Sequence, residues 1–433
     1  MNADIRETAK QVTLVTGRVV YLDGIPDARN RKLKAHTARG LTSMKRRRWE
    51  FAISRFYEAL SHAKRPEQSA ALLALVGSCH FAQSRWQRAL DCFGESVRLA
   101  DQAGDKPGKA HILNYIGSTY CDSGELGQAL KSHEEALAIA REIGDRDCEC
   151  RALSNIGIVY RAKGELLKAL EYQEKALAIA REVGNSLAEA NNLVGIGLLL
   201  VTKGAADKAL GFLNRALEIY RELGYAPGVA STLNSIGHVR DEQGDHLEAL
   251  EFHKGALAQY QKIRDRQGEA KVLNNIGVLF HGTGALTKAL YYYKRALAIA
   301  REVGEPEVLA NNLNNVGLVY RDRGVPEKAR QYFERALAAA RQDGFKPGAA
   351  SALSNIGMLY AVQGELDQAI RFLAEARLIF SGIGAVSHVQ RTTTNLRLLL
   401  LQTSRERFVA ACVEAGMTGD DAEKLARTLA QQK

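Results

Sequence analysis

A repeat of 40 residues constrains the fold of this chain more than any other feature of its sequence. A glycine recurs at this interval at Gly77, Gly117, Gly157, Gly197, Gly237, Gly277, Gly317 and Gly357. An alanine follows each glycine by twelve residues and another by nineteen, with Ser96 as the one exception. The pattern occurs once more upstream, at Gly40, Ala52 and Ala59. Nine similar segments predict a repeat architecture in which each repeat packs on its neighbours.

Each repeat contains two stretches with apolar residues at helical spacing. In residues 188–224 the first stretch ends at Lys203-Gly204, a typical helix C-terminus, and Leu210, Leu213 and Leu217 continue the spacing in the second. The small residues Gly197 and Ala209 predict that the two helices cross closely, because larger side chains would push them apart. The sequence therefore predicts an all-α fold of about nine helix-turn-helix repeats. Their predicted bounds are 33–69, followed by 40-residue repeats that start at 70, 110, 150, 190, 230, 270, 310 and 350.

The repeat resembles the tetratricopeptide repeat, whose first helix carries W-x-x-L-G-x-x-Y. Leu153, Ile156, Gly157 and Tyr160 stand at those positions here, with leucine in place of tryptophan and a period of 40 rather than about 34 residues. The longer period is similar to that of kinesin light chains, LGN/Pins polarity adaptors and bacterial peptide-pheromone receptors. The resemblance covers residues 33–389 and implies a right-handed superhelical solenoid that binds a peptide or protein segment in its concave groove.

The flanking segments lack the repeat. Residues 1–32 form a basic N-terminal arm whose β-prone stretch at residues 11–24 is compatible with a short hairpin. Residues 390–433 are predicted to form capping helices, with helix starts at Ser404 and at Asp420-Asp421. The leucines expected to cover the last repeat are Leu396, Leu398, Leu399, Leu400 and Leu401.

Candidate binding residues follow from positions on the first helix of each repeat. Side chains six and two residues before the repeat glycine lie one turn apart on one helix face. With the positions three before and four after the glycine, they define the predicted peptide-binding groove. Its members are Arg151, Asn155, Arg161, Asn191, Asn234, Lys271, Asn274, Asn275, Asn311, Asn314, Asn315, Arg321 and Asn355.

The asparagines in this set permit two interpretations. An amide both donates and accepts, so it can grip a peptide main chain. Alternatively, the asparagines bond between repeats and hold the stack together. The cations Arg151, Arg161, Lys271 and Arg321 favour an acidic ligand segment, or they are solvated charges at the rim.

The charge distribution supports a second function class. The chain has a net charge of +10, and its first fifty residues hold twelve Lys or Arg against five Asp or Glu. The basic residues that could contact nucleic acid or another acidic partner are Arg29, Arg31, Lys32, Lys34, Lys45, Arg46, Arg47 and Arg48. Because phosphate contacts weaken steeply with salt, the salt dependence of binding separates this alternative from peptide binding.

Other function classes find no support in the sequence. No H-E-x-x-H, phosphate-loop or G-x-S-x-G motif occurs, so we expect no enzyme activity, no cofactor and no metal site. Cys148 and Cys150 are predicted to be structural thiols of a reducing cytoplasm, and His133 and His253 to be half-buried packing residues. The absence of an 18-residue apolar run predicts no membrane span. The sequence makes no prediction about oligomeric state.

Overall fold

The computed structural model describes residues 11–13, 19–21, 31–46, 48–304, 306–342 and 344–431. Two short strands, β1 (Gln11–Thr13) and β2 (Val19–Tyr21), pair antiparallel with Val12 opposite Val20. All remaining described elements are α-helices, which confirms the predicted all-α class. None of the described helices is both long and apolar enough to cross a membrane.

Contacts between Cα atoms divide the chain into two compact halves, residues 1–224 and residues 225–433. The N-terminal half contains α1 (Arg31–Lys45), α2 (Trp49–Leu60), α3 (Pro66–Phe81), α4 (Trp86–Ala103), α5 (Lys106–Asp122), α6 (Leu126–Ile143), α7 (Arg146–Ala162), α8 (Leu166–Glu182), α9 (Ser186–Thr202) and α10 (Ala206–Glu222). Each odd-numbered helix is the first helix of a repeat and packs against the even-numbered helix that follows it.

The C-terminal half continues the alternation of first and second helices. It contains α11 (Ala226–Glu242), α12 (His246–Lys262), α13 (Arg266–Gly282), α14 (Leu286–Val303), α15 (Pro306–Asp322), α16 (Pro326–Gln342), α17 (Lys346–Gln363), α18 (Leu366–Gly382), α19 (Val386–Leu400), α20 (Arg405–Glu414) and α21 (Gly419–Gln431). Helices α1 to α18 thus form nine consecutive pairs among the described residues.

Within each half, successive first helices from α3 onward contact one another directly. Successive second helices make at most marginal contact in the described part of the chain. The first helices therefore form the inner surface of each half, which we call the first-helix face.

Each helix pair crosses closely because its first helix carries the repeat glycine. A Cβ atom on Gly197 would lie 2.9 Å from Leu213 Cγ, and one on Gly77 would lie 2.7 Å from a ring carbon of Phe93. The side chain sixteen residues after the repeat glycine thus occupies the space that a Cβ would need. Ala209 is fully buried, so the expectation of close crossing is confirmed.

The turns that end the helices recur every 20 residues and mostly contain glycine in the left-handed region. Gly204 and Gly224, for example, have φ values of 74° and 62°. Ser84 and Arg264 occupy equivalent turn positions, and both have φ of 56°. These two residues therefore adopt a backbone conformation that a side chain disfavours.

Helices α19 and α20 pack on α18, and α21 packs on α19 and α20. Leu396 and Leu399 of α19 are buried in one cluster with Leu373 of α18. The prediction is wrong for Leu398 and Leu401, which are 54% and 73% exposed. These two point away from α18 because the helical period places Leu396, Leu399 and Leu400 on the inward face, where Leu400 is partly buried against the same cluster.

Helices α20 and α21 extend this cluster. Phe408 of α20 and Leu425 and Leu429 of α21 are buried in it. The Ser404 side chain accepts a hydrogen bond from the N–H of Arg407 at 3.3 Å, so it caps α20 as predicted. Thr418, rather than an aspartate, accepts from the N–H of Asp421 at 3.1 Å at the start of α21.

Candidate functional site

A groove of about 390 Å³ lies on the first-helix face of the N-terminal half. Four predicted binding residues line it: Arg151, Asn155 and Arg161 of α7, and Asn191 of α9. Further lining comes from α5, α8 and the turn before α9. The structure therefore brings one part of the predicted residue set together around a single cavity.

Gln173 of α8 lies beneath the groove and is only 2% exposed. Its Nε2 donates to the carbonyl oxygen of Ser154 at 3.0 Å, whereas its Oε1 has no hydrogen-bond partner among the described residues. A Cβ on Gly195 would lie 2.8 Å from that Oε1. Glycine at this position therefore makes room for the Gln173 amide. A buried acceptor without a partner is costly unless a ligand or water satisfies it.

Gln173 and Gly195 were missed by the sequence analysis, although the repeat contains a signal for them. Gln173 stands sixteen residues after Gly157, where most other repeats have an aromatic or aliphatic side chain. Gly195 stands two residues before a repeat glycine, where Asn155 and Asn275 occur in other repeats. Alignment of the repeats reveals both as exceptions.

Hydrogen bonds fix the asparagines that line the groove. Asn155 Nδ2 donates to Asn114 Oδ1 at 3.5 Å, and His133 Nδ1 lies 3.0 Å from that same oxygen. The Tyr220 hydroxyl donates to Asn191 Oδ1 at 2.6 Å. The Asn191 amide is therefore oriented with its Nδ2 hydrogens directed away from Tyr220.

Two guanidinium groups and one carboxylate contribute formal charges to the groove lining. Arg151 is half-buried and Arg161 is exposed, and both belong to α7. Asp147 is the acidic residue of the lining. The lining is therefore net positive, which favours a ligand that carries negative charge.

In the C-terminal half, the predicted asparagines form hydrogen bonds between successive first helices. Each bond runs from an Nδ2 of one repeat to an Oδ1 of the preceding repeat. The three bonds are Asn275 to Asn234 at 3.1 Å, Asn315 to Asn274 at 2.8 Å and Asn355 to Asn314 at 2.8 Å. Since each bond uses one of two N–H groups on its donor, both interpretations of the asparagines stay open.

The remaining predicted residues of this half differ in their environments. Lys271 and Asn311 are exposed on α13 and α15. Arg321 pairs with Asp322 at 2.8 Å, and His281 lies 2.7 Å from the same carboxylate. Burial alone would raise the pKa of Asp322, but hydrogen bonds from Arg321 and His281 lower it. Asp322 therefore offsets part of the positive charge of Arg321.

Two histidines of the second helices are more buried than the sequence analysis predicts. His133 is 1% exposed and His253 is 2% exposed. His253 Nδ1 lies 3.0 Å from Asn234 Oδ1, which matches the arrangement of His133 and Asn114. Each histidine is thus part of the polar network beneath the first-helix face and is not half-buried.

The basic arm is only partly described. Arg29 and Arg47 lie outside the described residues, and of Arg31 and Lys45 only the helical backbone is described. Lys32 and Lys34 are exposed near the start of α1, and Arg46 and Arg48 are exposed between α1 and α2.

The helix pairs and the groove between first helices define an α-helical repeat protein with a groove on its inner face. Residues 67–142, 148–222, 228–302 and 308–393 match the family model described as tetratricopeptide repeat. This match covers more than half of the chain, so the chain belongs to the tetratricopeptide repeat family. No curated protein gives a significant match to the sequence.

Several solved structures share the fold at low sequence identity. A Rap protein complexed with Competence and Sporulation Factor is 15% identical with a TM-score of 0.57, over 82% of this chain and 99% of that chain. The Rap conjugation gene regulator of plasmid pLS20, in complex with the Phr* peptide, is 16% identical with a TM-score of 0.54, over 82% and 97%. Aspartyl phosphate phosphatase F from Bacillus subtilis is 13% identical with a TM-score of 0.53, over 72% and 94%. At these identities the likeness is one of fold alone.

Proposed function

We propose that the chain is a non-enzymatic interaction protein, an adaptor or scaffold that binds an extended acidic peptide segment on its first-helix face. The observation that carries this proposal is the groove in which Arg151, Asn155, Arg161 and Asn191 converge. Its volume of about 390 Å³ is within the range of ligand pockets.

The groove offers each type of contact that a peptide requires. Asn155 and Asn191 present amide groups to main-chain N–H and C=O groups. Arg151 and Arg161 favour carboxylate side chains, and Gln173 Oε1 accepts a hydrogen bond from a donor that reaches the floor. Ile158 and Leu198 add apolar surface to the lining.

Two proteins with the same fold support this proposal. One Rap protein is complexed with Competence and Sporulation Factor, and the pLS20 regulator is in complex with the Phr* peptide. The six cysteines of this chain are free thiols, which suits a protein of a reducing compartment such as the cytoplasm.

The proposal extends to the C-terminal half, whose first-helix face carries Lys271, Asn311 and the asparagine hydrogen bonds. There the second N–H of Asn275 and of Asn315 would contact the ligand main chain. The alternative is that these amides only join the repeats.

A peptide selection tests the function of the groove. We expect a phage library of random peptides, panned on the full chain, to enrich sequences that contain Asp or Glu. Synthetic copies of these peptides should bind Arg161→Ala at least about ten-fold more weakly, because loss of a charge-assisted hydrogen bond costs about 1.5–3 kcal/mol. Fluorescence anisotropy measures the affinity.

Lys163→Ala is the matched control, because Lys163 is an exposed cation near the end of the same helix but does not line the groove. Affinity should be nearly unchanged in this variant. Failure to enrich any peptide, or equal binding by the Arg161→Ala variant, would contradict the proposed groove.

A second candidate function is contact with nucleic acid or another acidic partner through the basic arm. The observation that favours it is the exposure of Lys32, Lys34, Arg46 and Arg48 at the two ends of α1. Binding of duplex DNA, measured at low and at physiological salt, decides it because phosphate contacts depend steeply on salt.

A further inference from the structure

Three metal-ligating side chains meet at the junction between α5 and α7, outside the lining of the groove. They are His111 of α5 and Asp145 and Cys148 at the start of α7. One ligand atom from each lies within 4.8 Å of the others, and His111 Nε2 is 3.7 Å from Asp145 Oδ2. Imidazole, carboxylate and thiolate are the ligands of Zn²⁺ in proteins, and its bond lengths separate ligand atoms by about 3.3–3.8 Å. A shift of roughly 1 Å or less would therefore close the cluster around an ion.

The two oxygens of Asp145 have separate roles. Oδ1 accepts a hydrogen bond from the N–H of Cys148 at 2.8 Å and so caps α7. Oδ2 faces His111. His111 is 8% exposed and Cys148 is fully buried. The cluster is thus built into the interface between two repeats, and Asp145 can ligate an ion without giving up its role as the helix cap.

The same positions at other repeat junctions show that capping requires neither histidine nor cysteine. Asp265 Oδ1 caps α13 through the N–H of Gly268 at 3.0 Å, and Ser231 stands at the position of His111. In the junction before α5, Ala71, Asp105 and Gly108 occupy the corresponding positions. The full set of three ligands occurs at one junction only, so the repeat fold alone does not explain it.

The surroundings suit a metal-binding cysteine and histidine. A neutral imidazole and a deprotonated thiolate are the forms of these two side chains that bind a metal ion. Asn114 Nδ2 lies 3.6 Å from Cys148 Sγ and donates toward the sulfur. Such second contacts orient a ligand and stabilise its negative charge.

We propose that His111, Asp145 and Cys148 bind one Zn²⁺ ion that links α5 to α7. The mixed nitrogen, oxygen and sulfur set favours Zn²⁺ over Mg²⁺ or Ca²⁺, which prefer oxygen ligands. Binding breaks the S–H bond of Cys148, the sulfur donates its electron pair to the ion, and the proton passes to solvent. Three protein ligands leave the fourth tetrahedral position for water or for a ligand atom.

Titration of the reduced, chelator-treated full chain with Co²⁺ tests the site. We expect one Co²⁺ per chain, with visible d–d bands of tetrahedral intensity and an ultraviolet thiolate-to-cobalt band. Zn²⁺ should abolish both bands at one equivalent, because it binds such sites more tightly. Elemental analysis should then find one zinc per chain.

The repeat supplies substitutions that the fold accepts. Asn185 and Ala188 stand in the next junction at the positions of Asp145 and Cys148, and Asn191 and Asn311 stand at the position of His111 in two later repeats. We therefore expect His111→Asn, Asp145→Asn and Cys148→Ala to fold, as circular dichroism can verify. Each should weaken Co²⁺ binding at least about ten-fold. Asp145→Asn is the most specific test of the three, because it removes the carboxylate but keeps an oxygen that can cap the helix, as Asn185 Oδ1 caps α9 at 3.0 Å.

Cys150→Ser is the matched control. Cys150 is a second buried thiol of α7, but its Sγ donates to the carbonyl oxygen of Ala176 at 3.2 Å. Metal binding and the thiolate band should persist in this variant. Absence of stoichiometric Co²⁺ binding by the wild-type chain, or binding that survives in Asp145→Asn and Cys148→Ala alike, would overturn the proposal. Loss of the band in Cys150→Ser alone would place the thiolate elsewhere and would also overturn it.

Discussion

The backbone of Arg264 shows how one residue can depart from the repeat. Its φ of 56° lies in the left-handed region that glycine occupies in most equivalent turns. A side chain in this region costs about 1–2 kcal/mol. Replacement by glycine removes this strain, but part of the gain is lost because glycine has more conformational freedom in the unfolded chain. We expect Arg264→Gly to raise the free energy of unfolding by about 0.5–1 kcal/mol, measured as a higher midpoint in urea.

Gly184→Ala serves as the converse variant. Gly184 has φ of 68°, and a Cβ there would meet no atom within 4 Å, so the substitution tests the backbone conformation alone. The free energy of unfolding of this variant should fall by a comparable amount, which lowers its midpoint in urea. A lower midpoint for Arg264→Gly would mean that contacts of the Arg264 side chain outweigh the strain.

At this scale the sequence predicts positions better than roles. The helical period placed Arg151, Asn155 and Asn191 on one face, and the structure finds them at one groove. The period left open whether Asn275 and Asn315 bond to the preceding repeat, as the structure shows, because that depends on the spacing between helices. His111 and Cys148 are 37 residues apart, so they are recognised as neighbours only when successive repeats are superimposed.

Helix α12 carries a pH-sensitive contact between elements. Burial lowers the pKa of His253 to about 4, whereas an exposed histidine titrates near 6.5. Between these values the unfolded chain binds a proton that the folded chain does not, so the free energy of unfolding falls as pH decreases from about 6.5 to about 4. The loss attributable to this shift is at most about 3 kcal/mol.

His253→Phe should reduce this acid sensitivity. Phe93 and Phe333 occupy the same position in other repeats, so the fold accepts the aromatic ring. We expect the difference in melting temperature between pH 7 and pH 4.5 to be smaller in this variant than in the wild-type chain. His238→Gln removes an exposed histidine whose charge is the smallest cause of the lowered pKa of His253, so this variant should retain most of the wild-type difference. If the melting temperature falls equally between pH 7 and pH 4.5 in the wild-type chain and both variants, the acid sensitivity arises from groups other than His253.

The sequence predicts which segments are helical more reliably than it predicts the residues at which the helices begin and end. Periodic apolar residues and turn glycines predict the pairs, and Ser404 identifies the start of α20. The start of α21 was assigned to Asp420-Asp421, but Thr418 provides the cap. Both residue types accept a hydrogen bond from a backbone N–H, so local sequence alone does not choose between them.

For the whole molecule, the C-terminal helices end the stack by covering α18. Leu425 of α21 is buried in one cluster with Ile370 and Leu373 of α18. We expect Leu425→Ala to lower the free energy of unfolding by about 2–5 kcal/mol, because it removes a buried side chain and leaves a cavity. Differential scanning calorimetry should record a lower melting temperature.

Leu398→Ala is the matched control, since Leu398 is 54% exposed on α19. Its melting temperature should stay close to that of the wild-type chain. An unchanged melting temperature for Leu425→Ala would show that α21 does not stabilise the fold, and a similar decrease for both variants would show that burial of Leu425 is not what distinguishes them. The sequence predicted that a cap exists, but it assigned too many leucines to the buried face because a run of leucines hides the helical period.

The close crossing at each repeat glycine also determines how such a chain can change length during evolution. Each pair is held by the same glycine and by a side chain sixteen residues later. Unequal recombination that duplicates or deletes 40 residues in register therefore reproduces every crossing and every turn. A gain or loss of one or two residues within a helix would instead rotate half of that helix out of its pairing. Chains of this type are expected to vary among descendants in whole repeats, and duplication of residues 111–150 would copy the His111, Asp145 and Cys148 cluster together with the junction that holds it.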